Sequence, residues 1–147
     1  MRVSQVLAAK RAGLVQVPPS ASVDTAITLM RREQVGAVLV LDEEQRLLGV
    51  LSERDIVHAL AARHQGLLQR SVAELARADA PVAAPEDSVQ SVMELMTATR
   101  ARHVPVVRFG RVIGVVSIGD VVKSRLSETT QENRVLQEIA RAHFFAS

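Results

Sequence analysis

Cysteine, tryptophan and tyrosine are absent from the 147 residues, and Phe109, Phe144 and Phe145 are the whole aromatic complement. Without cysteine there are no disulfides, thiolate metal ligands or cysteine nucleophiles. The shortage of aromatic platforms, on which unstacked bases are usually held, argues against a reader of single-stranded nucleic acid. No apolar run reaches the roughly 18 residues of a membrane-spanning helix. The apolar patch at residues 6–9, followed by Lys10 and Arg11, is too short for a secretory signal. The expected setting is therefore the cytoplasm, with no membrane partner. Charge is no guide to a partner, because the net value is only +2 and 16 of the 18 basic residues are Arg, which stay protonated far above neutrality.

What the chain does have is apolar surface, 48% of residues against 23% charged, enough for one substantial core. That surface is organised as a repeat. At a shift of 66, Pro19 falls on Pro85, Ser22-Val23 on Ser88-Val89, Leu29-Met30 on Leu95-Met96 and Val38 on Val104. After a one-residue loop difference the shift becomes 65, and Gly49-Val50 falls on Gly114-Val115, Ser52 on Ser117 and Asp55 on Asp120. The matches keep their order and their hydrophobic rhythm, which marks a duplication.

Both copies predict the same elements. Val23, Ala26, Ile27 and Met30, and again Val89, Val92, Met93 and Met96, are spaced to line one face of a helix. Ser22, and Asp87 or Ser88, are suitable caps. Apolar, β-branched runs follow at 37–41 and 47–51, and at 103–107 and 112–116, each pair joined as a hairpin. Residues 15–17 and 81–83 read as lead-in strands, and residues 3–10 and 72–76 as short opener helices. The fold class is α/β, two helix–hairpin–helix repeats packed with pseudo-two-fold symmetry, because one such unit cannot cover both faces of its own sheet. The boundaries fall at 1–66 and 67–125, with a helical tail at 126–147.

Each second strand runs into Ser-x-x-Asp, Ser52 to Asp55 and Ser117 to Asp120, and then into a helix. A helix N-terminus offers unpaired N–H groups to a phosphate, and a carboxylate offers two acceptors at the spacing of vicinal ribose hydroxyls. The same two residues are also what a capped helix needs. Arg54 is a cation in a first helical turn, where it opposes the helix dipole, so either a bound anion or the flanking Glu53 and Asp55 account for it. Arg102 and His103, at the entrance of a buried strand, suit phosphate or simple solvation. His58, His64 and His143 have no companions at metal-ligand spacing.

The Gly-h-h-Ser-x-x-Asp-h-h motif at 49–57 and 114–122, together with the run from Arg102 to Val107, resembles a tandem pair of CBS domains, a Bateman module, over roughly residues 1–125. The resemblance implies a regulatory module that binds AMP, ADP, ATP, NAD or S-adenosylmethionine in clefts between the repeats. It implies ribose contacts at Asp55 and Asp120, with Ser52 and Ser117 beside them. Phosphate contacts follow at Arg102 and His103 for the Asp55 cleft and at Arg54 for the Asp120 cleft. Adenine would lie near Val17 and Ala37 in one cleft and near Ala83 and Val104 in the other, where Pro105 marks the strand. It also implies a homodimer acting on a separate protein.

No catalytic signature competes with this. Neither Ser-x-x-Asp turn is a nucleophile elbow, and neither a Walker loop nor a dinucleotide glycine fingerprint is present. A different class of reading is an interaction protein with vestigial clefts. Val135, Leu136, Ile139 and Ala140 form a helical stripe ending at Phe144 and Phe145, expected to fold back on the module or on a dimer mate.

Overall fold

The computed structural model describes residues 1–10 and 13–146, with side chains through residue 143. In chain order the first part runs α1 (Val3–Ala9), β1 (Gln16–Val17), α2 (Val23–Glu33), β2 (Ala37–Leu41), β3 (Leu47–Ser52) and α3 (Glu53–Ala61). A short 3-10 turn precedes α4 (Val72–Leu75), α5 (Val89–Thr99), β4 (His103–Arg108), β5 (Arg111–Ser117) and α6 (Ile118–Ala146). Ser22 and Ser88 cap α2 and α5 by accepting the N–H of Thr25 and Ser91. Both helices end on a left-handed residue at the equivalent place, Gln34 and Arg100.

The hairpins β2–β3 and β4–β5 are antiparallel and occupy equivalent registers, with Ala37 opposite Ser52 and His103 opposite Ser117. β1 adds a parallel edge to the first sheet, whereas the expected second lead-in strand reduces to one bridge, Ala83 with Val106. Pro81 has no N–H to donate, which shortens that ladder. The second hairpin turns through two residues, Phe109 and Gly110, both with positive φ, 51° and 77°. Gly110 is suited to this geometry, while Phe109 adopts it with its ring almost wholly in solvent.

The helices that open each sequence repeat are exchanged in space. Val3 N–H donates to the Asp87 carbonyl at 2.9 Å and Ser4 N–H to the Pro85 carbonyl at 3.0 Å, which seats α1 on the second half. Val3 and Val6 complete a core with Val89, Val92, Val104, Val106 and Val116. Reciprocally, Val72 N–H donates to the Ala21 carbonyl at 2.8 Å, and Val72 joins the core of Val23, Ala26, Val38 and Leu51. The sequence boundaries of the repeats are thus not the boundaries of packing.

Two glycines carry this exchange. A β-carbon on Gly114 would stand 2.6 Å from Leu7 Cδ2 on α1, and one on Gly49 would stand 2.9 Å from Ala76 Cβ, just after α4. The glycine of each repeated motif is the surface on which the incoming opener segment rests. A third apolar cluster, built on Leu39, Leu41, Val50 and Val112, joins the two sheets at the seam.

The tail is helical, as its periodicity suggests, but it does not fold back on its own module. It is not a separate helix folded back on the body, but the continuation of α6 as one 29-residue helix. Val135, Leu136 and Ile139 remain exposed on it, because nothing in residues 118–146 breaks the helix and lets it reverse. The side chains of Phe144 and Phe145 lie outside the described residues.

Candidate functional site

The seam encloses a cavity of about 330 Å³. Its wall on one side is Gly36, Ala37, Leu39 and Val50, and on the other His103, Pro105, Gly114, Val115 and Ser117, with Leu7 and Lys10 contributed by α1. The position of the key groups follows from strand pairing. Because His103 is opposite Ser117 and Ala37 is opposite Ser52, each Ser-x-x-Asp turn begins beside the entrance of its own hairpin. Glu53 N–H and Ile118 N–H, the first of α3 and α6, donate to the Gly36 and Arg102 carbonyls at 2.9 Å. The two turns are therefore built alike.

Both aspartates cap their helices. Asp55 Oδ2 accepts Ser52 N–H at 2.9 Å and Ser52 O–H at 2.8 Å, while Ser52 Oγ accepts Asp55 N–H at 3.2 Å. Asp120 Oδ2 accepts Ser117 N–H at 2.8 Å, and Ser117 Oγ accepts Asp120 N–H at 3.2 Å. In each carboxylate Oδ1 has no hydrogen-bond donor among the described residues. Capping thus engages one oxygen and leaves the other open to a further donor.

The turns differ in one respect that the sequence comparison does not reveal. Lys10 Nζ donates to Asp120 Oδ2 and to the Val115 carbonyl, both at 2.7 Å. Burial by itself raises the Asp120 carboxyl, but the hydrogen bonds from Lys10 and Ser117 and the lysine charge outweigh it, and its pKa falls below the ordinary value. His103 is shifted the same way for a different reason. Burial lowers its pKa first, then the Lys10 charge, against the opposing pull of Glu53 and Asp120. The imidazole is held neutral near pH 7.

This depression sets a pH dependence. The unfolded chain takes up the His103 proton near pH 6.5 and the folded chain only at lower pH, so stability is full above 6.5 and falls as the solution is acidified toward the folded pKa. Urea unfolding from pH 7.5 to pH 5 is expected to show this loss in the wild type and a smaller one in His103→Gln. Equal slopes for the two proteins would contradict it.

Not every expected residue meets here. Ala37, His103, Pro105 and Ser117 line the cavity, and Asp120 lies one hydrogen bond behind it through Lys10. His103, expected beside Asp55, lines the cavity on the Ser117 side with its ring also close to Gly36 and to Glu53 at the start of α3, so it stands between the two turns. Arg54, expected to serve the Asp120 side, is exposed on the first turn of α3 and is not among the lining residues; Ser52, Asp55 and Arg102 are likewise outside this wall. Val17, Ala83 and Val104 are buried in the two half-cores, and Leu14 and Val15 line the cavity near β1 instead. Lys10, Gly36 and Leu39 were missed. For Lys10 the only available signal was its place at the end of an opener helix whose destination lies in the other half.

Comparison with known proteins decides the family. The model for the CBS domain matches twice, at residues 3–62 and 72–127. The chain is a tandem pair of CBS domains. The solved CBS-domain protein from Agrobacterium tumefaciens superposes with a TM-score of 0.80 at 37% identity, over 85% of this chain and 99% of that one. A CBS domain protein from Pyrobaculum aerophilum, solved in complex with AMP, is similar with a TM-score of 0.73 at 28% identity, over 82% of this chain and 89% of that one. The mitochondrial CBS domain-containing protein CBSX3 of Arabidopsis thaliana is 33% identical over 111 residues, 73% of this CBS pair. The pair spans about half of CBSX3's length, 54%. Among the described residues no helix is long and apolar enough to cross a membrane.

Proposed function

We propose that this CBS pair is a non-catalytic regulatory module that binds an adenosine ligand, AMP, ADP, ATP or NAD, in the seam cavity and signals to a separate protein. The observation that carries the reading is the cavity beside Ser117 and Asp120. At about 330 Å³ it lies within the range of small-molecule sites, and it joins apolar walls to a few converging polar groups. The AMP held by the Pyrobaculum aerophilum relative supports the ligand class. Asp120 Oδ1 is the ribose acceptor in this reading, Ser117 is its neighbour, and His103 faces the phosphate. Ser52, Arg54, Asp55 and Arg102 would form the second, equivalent cleft. Val17, Ala83 and Val104 shape the clefts from within the half-cores.

We place the module in the cytoplasm as a homodimer. The exposed Val57 on α3 and Val122 on α6, equivalent positions of the two repeats, supply a symmetric apolar face for the second copy.

The test is thermal unfolding with AMP, ADP, ATP, NAD and adenosine in turn. A ligand at 100 times its Kd adds about 2.7 kcal/mol to folded-state stability, and Asp120→Ala should abolish the shift produced by occupation of the seam. Flat curves for every ligand would instead favour an interaction protein, the reading supported by the exposed Val135, Leu136 and Ile139 of α6.

A further inference from the structure

Lys10 has three N–H donors, and two of them are matched, by Asp120 Oδ2 and the Val115 carbonyl. The third has no acceptor among the described residues, and the side chain borders the cavity. The ammonium therefore sits between the carboxylate that would bind a sugar diol and open space large enough for a ligand. Lys10 also follows directly on α1, whose Val3 and Val6 are fixed in the second half's core, so its stem is anchored while its tip is reached from the cavity.

The electrostatics of this corner are balanced without a ligand and unbalanced with an anionic one. Lys10 and Asp120 cancel, and His103 is held neutral by burial and by the lysine. A phosphate entering beside them would accept the unmatched third N–H of the ammonium in a charge-assisted bond of its own. Asp120 would keep its pair with the lysine through Oδ2, and Oδ1 would remain for the ribose hydroxyls. A neutral nucleoside has nothing to offer the lysine.

We propose that Lys10 is a specificity-determining residue of the seam site, which selects phosphorylated adenosine ligands over the nucleoside by donating its third N–H to the phosphate. The proposal rests on the adenosine reading and sharpens it. Charge in this site comes from the opener helix of the first repeat, not from the Ser-x-x-Asp turn of α3, where Arg54 was expected to supply it.

The experiment is titration calorimetry of wild type, Lys10→Met and Lys10→Arg with AMP and with adenosine at fixed salt. Lys10→Met keeps most of the apolar stem, and it should weaken AMP by about 10- to 100-fold, the range of one lost charge-assisted hydrogen bond. Adenosine should bind with unchanged affinity, because it carries no phosphate to accept the lysine N–H. Lys10→Arg retains the cation and should keep a preference for AMP, which separates charge from any effect on folding. Loss of the same factor for both ligands in Lys10→Met, or no loss for either, would overturn the selective role while leaving the adenosine reading intact. A wild type that binds neither AMP nor adenosine would overturn that reading and the role of Lys10 with it.

Discussion

Val3→Asp is expected to destabilise the protein by roughly 4 kcal/mol or more, a large part of the 5–15 kcal/mol that holds a typical domain folded. Val3 is fully buried, and a carboxylate there would sit in the apolar second half-core of valines with Ala83 and Met96. The substitution lies in the first residues of the first repeat, but the damage belongs elsewhere. Hydrogen exchange should show the amides of β4 and β5 losing protection before those of β2 and β3, because α1 is built into the second half. Earlier loss from β2 and β3 would mean that the openers are not exchanged.

Gly49→Val has the next largest expected effect, about 3 kcal/mol, at the upper end of overpacking penalties. The added carbon would meet Ala76 Cβ at 2.9 Å and the Arg77 carbonyl oxygen at 3.3 Å. Those neighbours cannot turn aside. Arg77 is tied to β3 by its N–H to the Val50 carbonyl at 2.9 Å and by the return bond from Val50 N–H at 3.2 Å. Gly114→Val is the internal comparison, since its obstacle is the side chain of Leu7, which has other rotamers. It should cost clearly less, and urea midpoints of the two variants decide the matter. Equal costs would show that backbone rigidity is not what distinguishes the two sites.

The repeat was legible because both halves solve the same local problem with the same residues. Ser22 and Ser88 cap, Val38 and Val104 are buried, and β2, β3, β4 and β5 fall within two residues of the ranges read from the apolar runs. Local pattern carries that much, because strand alternation and helix periodicity are recorded in adjacent residues. The exchange of α1 and α4 is different. It depends on which core has room for Val3 or Val72, and spacing contains no signal for partner choice. For the same reason Ala37, His103, Pro105 and Ser117 of the cavity wall are legible from their places in the repeated motifs, while Lys10, which reaches it from the other half's opener, is not. The glycine of the motif was visible in both repeats, but its purpose, close passage of another segment, requires that segment to be in place.

The continuity of α6 means that its first turn and its far end cannot move independently. Asp120 is in the opening turn, and the helix runs about 30 Å further beyond Leu126 at 1.5 Å per residue. Such a rod is a lever with its short arm in the seam. A tilt of about 5° near the fulcrum sweeps the distal turns through about 3 Å, a displacement comparable to a whole hydrogen bond, delivered far from where it originates.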